Sequence, residues 1–494
     1  MNPDVLVIGA GPTGLVLALW LTRMGVRVRI VDRADHAGTT SRAVGVQART
    51  LELYEPLDLA RPLVEVGVHA DRANLWARGR HTGQITLAGA DLTRYPYLLV
   101  YPQDKHEALL EARLADAAVR VERSTEVTEL DGTTATLRRP DGTLERVAAR
   151  FVAGCDGAHS VVRHALGLEF EGGTYSHLFY VADVAARGPT MNGEIHVAFD
   201  DVDFVACFPL EAATHARLIG DVRKDAADDA ALGWDDVGQR ILERLQLQVE
   251  HVNWFSTYRV HHRVATEFAG GRRFLLGDAA HIHSPVGGQG MNTGIGDAIN
   301  LAWKLAAVIH GTADERLLAS YAEERMPFAR RLVATTDKLF ELVASDSAIA
   351  TAVRNDVLPH VLPRLAQFDS ARRLLFKIIS QIEIDYRGSS LSAGRAGRVR
   401  GGDRLPWVAT QDNFAPLRTL GWQVHVHGEA SPTLREVCDT LRVPCHVWAW
   451  DDAAHDAGLA RDAAYLVRPD GYVALATRTP HELAAYFDAR RLRP

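Results

Sequence analysis

The 494-residue sequence predicts an α/β protein with more than one domain. Three observations lead to this prediction: a strand, a glycine turn and a helix near the N-terminus, a central region of two-residue alternation, and a final segment that alternates strand and helix patterns. A chain of this length is too long to fold around a single hydrophobic core of ordinary size, so we expect two to four domains.

The composition indicates a folded globular protein, with 47% hydrophobic and 24% charged residues. The net charge is −7 and there is no long basic run, which argues against nucleic acid as a partner. The early apolar stretch, residues 5–21, is broken by glycines and a proline, and no other apolar run is long enough to span a bilayer. We therefore expect neither a signal peptide nor a membrane span.

The cysteines Cys155, Cys207, Cys438 and Cys445 show neither CxxC spacing nor the dense framework of a disulfide-rich protein. Zinc-type HxxH spacing is also missing from the sequence. We expect a cytoplasmic protein without a metal site.

The first motif has the order of a dinucleotide-binding unit. Residues 4–8 read as a buried strand, GAGPTG follows at residues 9–14, and a helix and a second strand lead to Asp32. Gly9 permits the tight turn, Gly11 lets backbone N–H groups approach a pyrophosphate, and Gly14 allows close helix packing. Asp32 can accept hydrogen bonds from ribose hydroxyls. The motif does not distinguish NAD from FAD, and the chain contains no second fingerprint of this kind.

Two further motifs follow later in the chain. FVAGCDGAHSVVR, residues 151–163, reads as a strand, a turn at Asp156-Gly157 and a helix, although an Asp-Gly pair alone is a common turn. GDAAHIHSPVGGQGMN, residues 277–292, follows a strand that ends at Gly277-Asp278 and leads into a long apolar helix. Pro285 fixes the backbone there. Gly287, Gly288 and Gly290 leave one approach to the start of the helix free of side chains.

Together, in this order and spacing, the three motifs resemble those of the single-component FAD-dependent aromatic hydroxylases, the para-hydroxybenzoate hydroxylase-like group. SRAVGVQARTLEL at residues 41–53 and YPQDKHEALL at residues 101–110 are similar to two further family segments. The resemblance covers residues 1 to about 340 and continues more weakly to the C-terminus, where residues 386–407 are similar to a segment of the phenol and aromatic polyketide hydroxylase branch.

The resemblance implies that the 277–292 turn lies along the flavin ring. Asp278 would bind sugar-chain hydroxyls of FAD, Arg42 and Gln103 would touch the FAD, and Pro285 would lie beside the ring. The backbone N–H groups of residues 290–292 would face the N1–C2=O edge, where a helix N-terminus stabilises the negative charge of a reduced flavin. The full set of expected cofactor-binding residues is Gly9, Gly11, Pro12, Thr13, Gly14, Asp32, Arg33, Arg42, Gln103, Asp156, Gly157, Gly277, Asp278, Pro285, Gly288, Gly290, Met291 and Asn292.

No catalytic residue follows from the sequence, because the flavin carries the chemistry. Pro285 and His283 are candidates to lie near the ring. For His281 and His283, hydrogen bonding within the turn or exposure to solvent is the more common use of a single histidine.

The implied fold is a Rossmann-like FAD-binding domain with an inserted antiparallel β-sheet substrate domain and a C-terminal thioredoxin-like domain. We expect the first at residues 1–175 and 265–394, with linking helices at 330–394, and the second at residues 176–264 with strands from 72–100. Ile195, Val197 and Phe199 share one face of their strand, as do Phe204, Ala206 and Phe208 of theirs. Trp76, Phe204 and Phe208 are candidates for the substrate cavity, although core packing would explain each equally well.

The third domain is expected at residues 395–494, ending in a hairpin with its turn at Asp470-Gly471. Cys438 and Cys445 do not form a CxxC pair, so this domain would be structural or oligomer-forming, which leaves a homodimer open.

The expected function is an FAD-dependent monooxygenase. NAD(P)H would reduce the flavin, O2 would form a C4a-hydroperoxide, and oxygen would pass to a phenolic or polycyclic aromatic substrate of the polyketide or antibiotic kind. Two alternatives stay open: an epoxidase or Baeyer–Villiger oxygenase on the same scaffold, and a non-catalytic flavoprotein that binds an aromatic antibiotic.

Overall fold

A computed structural model describes residues 2–38, 43–86, 89, 91–200, 204–211, 214–222, 233–237, 239–284, 288–344, 353 and 357–494 of the chain. The residues it describes form an α/β architecture in which several sheets are combined with helices. Within these ranges, no helix combines the length and the apolar character needed to cross a membrane.

The first six-stranded sheet contains the predicted dinucleotide-binding unit. In sheet order its strands are Ala269–Gly270, Arg273–Leu275, Phe151–Gly154, Val5–Ile8, Val28–Val31 and Val121–Glu122. Neighbours pair in parallel except for the first two strands. Because the carboxyl ends of parallel strands meet at one edge, the three motifs that follow these strands lie side by side.

The helices, labelled in chain order among the described residues, are α1 Pro12–Arg23, α2 Ala48–Tyr54, α3 Ala60–Val66, α4 Gln103–Asp116, α5 Val161–Ala165, α6 Gln239–Arg244, α7 Gly290–Ile309, α8 Ala319–Ala344, α9 Leu358–Leu365, α10 Asp369–Ile379, α11 Pro432–Leu441, α12 Asp452–Asp456 and α13 Glu482–Arg490. Helix α1 begins at Pro12. Proline suits this position because the first N–H of a helix has no intrahelical partner, so its absence costs no hydrogen bond. Helices α1 and α7 are buried along most of their length and pack against each other.

The central alternation forms an eight-stranded sheet, as the period-two pattern predicts. Its order is His281–Ile282, Gln248–Ala265, Phe170–Arg187, His215–Val222, Phe204–Glu211, Ile195–Phe199, Arg72–Ala77 and Arg80–Thr86. The pairs are antiparallel except for Ile195–Phe199 with Arg72–Ala77, which is parallel. The expected strand pair from residues 72–100 therefore contributes two strands to this sheet.

Two three-stranded sheets complete the larger part of the molecule. One contains Gly45–Val46, Leu98–Val100 and Val68–Ala70, and the other contains Leu144–Ala148, Thr134–Arg138 and Glu126–Asp131. The first of these contacts the eight-stranded sheet, where Val100 packs with Ile195, and also α7, whose Asn292 donates a hydrogen bond to the carbonyl of Gly45.

A six-stranded sheet forms the C-terminal part, in the order Val399–Arg400, Ala393–Ala396, Val473–Thr477, Ala464–Val467, Gln423–His427 and Cys445–Trp448. The hairpin predicted at Asp470-Gly471 is confirmed, since Ala464–Val467 and Val473–Thr477 pair antiparallel and Gly471 has a φ of +75°. The thioredoxin-like assignment and the domain boundaries remain predictions.

Buried charges join this C-terminal hairpin to helices α7 and α8. The indole N–H of Trp303 on α7 donates to the carboxylate of Asp470 at 3.1 Å. Arg468 and Lys304 both donate to the carboxylate of Glu324 on α8, at 2.6 and 2.8 Å. These charges are fully buried, so removal of one partner would leave another charge buried and uncompensated. The cluster therefore requires each of its residues at its own position.

Candidate functional site

Two of the predicted motifs are in direct contact despite their distance in sequence. A Cβ on Gly277 would stand 2.7 Å from Oγ1 of Thr13, and a Cβ on Gly294 would overlap the same atom. Gly277 also has a φ of +57°, which side chains rarely tolerate. The residues that follow the first strand and those that open α7 therefore build one continuous surface.

The first glycine turn combines close packing with one open position. A Cβ on Gly9 would overlap the carbonyl of Cys155, and a Cβ on Gly14 would overlap the carbonyl of Gly9. A Cβ on Gly11, in contrast, would have no atom of the described chain within 4 Å. Helix α1, which begins at Pro12, has neither a side-chain cap nor an acidic residue in its first turn, so its N-terminal amides are available to an anion.

Asp32 lies at the end of the neighbouring strand, beside this turn. Its carboxylate accepts from the backbone N–H of Ala10 at 2.6 Å and of Ala34 at 2.8 Å. These two bonds hold the carboxylate at the turn and leave lone pairs for a ribose hydroxyl. Arg33 is exposed next to it and borders an open groove that also contains Arg138 and Arg139.

The second motif also presents a glycine to open space. Asp156 accepts from the backbone N–H of Val161 at 2.7 Å, and no described group pairs with its buried Oδ1. Burial raises the pKa of Asp156, although these hydrogen bonds oppose the rise. Gly157 has a φ of +75°, and a Cβ there would have no described neighbour within 4 Å. Arg163 is buried and donates to the carbonyls of Ala279 and Ala158, which ties this motif to the Gly277 turn.

The third motif begins with a short turn, Gly277–Ala279, in which the Asp278 side chain is exposed. The turn is held from behind by Asp297 of α7, whose carboxylate accepts from the N–H of Gly277 at 3.0 Å and from His281 at 2.7 Å. Arg325 donates to the other oxygen of this carboxylate at 2.6 Å. Burial acts to raise the pKa of Asp297, but Arg325 and His281 hold it below its usual value. His281 thus has the structural role that is common for a single histidine.

Helix α7 opens toward the same edge with free backbone donors. It has no side-chain cap and no acidic residue in its first turn, so the N–H groups of Gly290, Met291 and Asn292 have no intrahelical partner. A Cβ on Gly288, whose φ is +60°, would have no described neighbour within 4 Å. The Asn292 side chain is used internally, because it accepts from the N–H of Gln47 and donates to the carbonyl of Gly288.

His283 lies beside this helix start. Its Nδ1 is 2.8 Å from the carbonyl of Ser284, and its Nε2 is buried without a described partner, near the position a Cβ on Gly290 would take. Burial lowers the pKa of His283 to about 4. At neutral pH the ring is therefore neutral and Nε2 is an acceptor.

Gln103 is the first residue of α4 and donates to Glu107 at 2.8 Å. Its backbone N–H donates to the carbonyl of Ala43, which borders the segment of Arg42. Arg42, Pro285 and Gly287 lie outside the described residues, so their predicted places remain predictions.

The three candidate cavity residues do not share one face of the eight-stranded sheet. The pairing of Phe199 with Phe204 puts Phe204 and Phe208 on the face of Ile195. Trp76 pairs with Ala198 and therefore lies on the opposite face, where its indole donates to His196 at 3.1 Å. The Phe208 face packs with Val44 and Val100, and the neighbouring Gly45 accepts a hydrogen bond from Asn292 of α7.

The sequence reasoning missed the buried residues that support the site from behind, above all Asp297 and Arg325. A usable signal exists for the first, because Asp297 is one of two charges, with Lys304, in a largely apolar helix, and a buried charge needs a partner. Arg217 was also missed; it is buried on the Phe208 face, where it binds Asp183 at 2.7 Å and donates to the carbonyl of Ala43.

The residues present fit the FAD that the resemblance implies. Gly11, Gly157 and Gly288 leave space at three neighbouring points, and two uncapped helix N-termini supply donors for anionic groups. Asp32 and Asp278 supply acceptors for hydroxyls. Over the same described ranges, no three His, Cys, Asp or Glu side chains form a group that could hold a metal ion.

Comparison with known proteins agrees with this geometry. Residues 2–336 match the model of a family described as an FAD binding domain. The chain is 36% identical over 424 residues to 6-methylpretetramide 4-monooxygenase of Streptomyces rimosus, covering 81% of this chain and 73% of that protein. It is 33% identical over 506 residues to 12-dehydrotetracycline 5-monooxygenase/anhydrotetracycline 6-monooxygenase of Streptomyces rimosus subsp. rimosus, covering 96% and 95%.

The fold matches that of CabE, an aromatic hydroxylase from angucycline biosynthesis, with a TM-score of 0.78, 27% identity and full coverage of both chains. The sequence and structural matches span both the FAD motifs and the C-terminal part. The chain therefore belongs to the family of FAD-dependent aromatic monooxygenases.

Proposed function

We propose that this protein uses FAD, NAD(P)H and O2 to hydroxylate a phenolic or polycyclic aromatic molecule of the polyketide or antibiotic kind. The observation that carries the proposal is the meeting of two uncapped helix N-termini, those of α1 and α7, at an edge bordered by open glycines. FAD matches such an arrangement, because it is elongated, its central pyrophosphate is anionic, and its reduced flavin ring also carries negative charge.

The proposed substrate class rests on relatives and on the face of the eight-stranded sheet that contains Phe204 and Phe208. One relative is named for tetracycline derivatives and another for 6-methylpretetramide, and CabE is an aromatic hydroxylase from angucycline biosynthesis. In this chain, Phe204 and Phe208 lie on one face, where Phe208 packs with apolar residues next to the α7 side. Such a face suits a flat apolar molecule and keeps water away from the reacting atoms.

When bound, FAD supplies the redox chemistry: it takes up hydride and activates O2. The amides of α1 would bind its pyrophosphate, Asp32 its ribose and Asp278 its sugar-chain hydroxyls. The amides at the start of α7 would stabilise negative charge at the pyrimidine edge of the ring. The buried bonds from Asp297 to Gly277 and His281 keep these donors in place during turnover.

A test begins with purification of the full chain and measurement of its bound FAD. A panel of phenols and polycyclic aromatics is then screened for compounds that accelerate NAD(P)H oxidation, and the mass of each product is determined. We expect a yellow protein, substrate-dependent oxidation and a product heavier by one oxygen atom. A colourless protein that cannot be loaded with FAD contradicts the proposal. Ligand binding without any NAD(P)H use would favour the antibiotic-binding alternative.

Ring insertion or epoxide formation would give the same added mass, so the structure of the product separates these alternatives from hydroxylation. A cytoplasmic location and a homodimer also remain part of the proposal. The sequence leads to the first and leaves the second open, and size measurement of the purified protein tests the second.

A further inference from the structure

Two cysteines of the C-terminal part lie on adjoining elements. Cys438 is in helix α11, and Cys445 is the first residue of the strand Cys445–Trp448. The chain reverses between them at Arg442, which adopts a left-handed conformation, and the N–H of Val443 donates to the carbonyl of Cys438 at 2.9 Å. This tight reversal brings the two side chains together even though they lack CxxC spacing.

Both side chains pack in the same apolar cluster, one on the helix and the other on the strand that follows it. The interaction of the two thiols holds the pKa of Cys445 below its ordinary value and raises the pKa of Cys438, so Cys445 has the greater thiolate character. Cys438 is buried, whereas Cys445 is partly exposed. The more exposed sulfur is therefore also the more nucleophilic one.

The other two cysteines offer a contrast within the same chain. Burial raises the pKa of Cys207 to about 12 and raises that of Cys155 well above its ordinary value. Both should stay protonated and inert. Nor do Cys438 and Cys445 belong to a metal site, since the described residues contain no suitable cluster of three ligands.

We propose that Cys438 and Cys445 are a modification site at which a peroxide forms an intrachain disulfide. The Cys445 thiolate attacks one oxygen of hydrogen peroxide, the O–O bond breaks, and hydroxide leaves as the sulfur becomes a sulfenic acid. The Cys438 sulfur then attacks that sulfur, the S–O bond breaks, and water leaves after taking the Cys438 proton. Two thiols lose two electrons in total, and hydrogen peroxide is reduced to two waters.

This proposal does not depend on the oxygenase assignment, because any peroxide source serves. The proposal also gives Cys438 and Cys445 no redox role in the oxygenation reaction itself. The disulfide would fasten α11 to the sheet that contains the Asp470 hairpin, whose buried charges contact α7 and α8.

The test uses the full-length protein as purified, reduced and then exposed to hydrogen peroxide, with catalase to stop the reaction. The sample is unfolded, its free thiols are alkylated, and it is digested with trypsin. Cleavage after Arg442 separates the two cysteines, so a disulfide appears as a linked pair of peptides, residues 436–442 with residues 443–461. We expect this linked pair, loss of two alkylated thiols, and unchanged alkylation of Cys155 and Cys207.

Two variants identify the order of events. In Cys438→Ser, the sulfenic acid on Cys445 has no partner and should be captured by a cyclic 1,3-dione. In Cys445→Ser, Cys438 should stay alkylatable after the same treatment. The proposal is overturned if the wild type gives no linked peptides, if Cys445 passes to sulfinic acid while Cys438 stays free, or if Cys155 and Cys207 react as readily.

Discussion

Thr13 and Gly277 are in contact at the centre of the site, with Oγ1 of Thr13 2.7 Å from the position of a Cβ on Gly277. One residue belongs to the first glycine turn and the other to the turn before α7. Their contact makes the pyrophosphate end and the ring end of the proposed FAD site parts of one rigid surface. Glycines at this edge fall into two kinds, those that the fold itself needs and those that leave room for a ligand.

Gly11→Ala should affect the ligand and not the fold. Gly11 has a φ of −76°, which alanine adopts readily, and its added methyl would meet no described atom within 4 Å. We expect an unchanged melting temperature of the apo-protein and a rise of about tenfold or more in the Kd of FAD, or about 1.4 kcal/mol. FAD titration of the apo-protein measures this.

Gly14→Ala is the matched comparison, because its Cβ would overlap the carbonyl of Gly9. It should lower the melting temperature of the apo-protein itself. An FAD affinity in Gly11→Ala equal to that of the wild type would show that the space beside Gly11 is not the pyrophosphate site.

Asp278→Ala tests the acceptor at the ring end. The Asp278 side chain is exposed on its turn, so its loss should leave folding intact. A hydrogen bond to a charged group contributes ~1.5–3 kcal/mol, which corresponds to an affinity for FAD that is weaker by roughly one to two powers of ten. Asp488→Ala on α13 is the control, an exposed acid far along the chain, and should bind FAD normally. Equal affinities in both variants would remove Asp278 from the site.

Acid should destabilise the fold through buried neutral histidines. Nε2 of His106 lies 3.0 Å from the hydroxyl of Tyr54, and burial lowers the pKa of His106 from its ordinary value of 6.5 to about 4. Below pH 6.5, His106 binds a proton in the unfolded chain but stays neutral in the folded chain. The free energy of unfolding therefore falls as the pH drops from 6.5 to 4. For a fully buried group, this difference in pKa corresponds to about 3 kcal/mol.

Urea unfolding across that pH range measures the effect. His196, His283 and His427 also have pKa values lowered to about 4 by burial, so the wild-type slope should exceed that of one histidine. His106→Gln should be less stable at neutral pH but should lose stability less steeply on acidification. An unchanged slope in this variant would contradict the assignment to His106.

Local chemistry explains which parts of the fold could be predicted. The turn before α1, the Asp156-Gly157 turn and the Asp470-Gly471 hairpin all depend on glycine at positions of tight or left-handed backbone, which the sequence displays directly. The parallel pairing of Val5–Ile8 with Val28–Val31 is the arrangement that such a strand–helix–strand unit requires.

Contacts between distant residues explain what could not be predicted. The partners of Asp297 and Lys304, namely Arg325 and Glu324, belong to another helix, and no local pattern connects them. The separation of Trp76 from Phe204 depends on strand pairing, which alternation alone does not specify. The thiol contact between Cys438 and Cys445 depends on a chain reversal that their spacing hides.

The chain has only one glycine fingerprint, which the FAD motifs use, so NAD(P)H should dock transiently on surface shared with the FAD groove. The buried Arg163, bound to backbone carbonyls, is part of the wall there and not a free cation. We expect slow anaerobic flavin reduction by NAD(P)H alone and much faster reduction with a substrate, since early reduction would waste NAD(P)H and release peroxide. Stopped-flow absorbance follows the oxidised flavin band. Equal rates with and without a verified substrate would contradict gating.

The most direct test of the central claim is the origin of the oxygen in the product. The FAD-loaded protein is supplied with NAD(P)H and an accepted aromatic substrate under ¹⁸O2 in ordinary water, and the product is analysed by mass spectrometry. Our account predicts one ¹⁸O atom in the product, attached to a ring carbon, and the other in water. A product that contains only oxygen from the solvent, or NAD(P)H oxidation that yields peroxide and unchanged substrate with every aromatic tested, would contradict it.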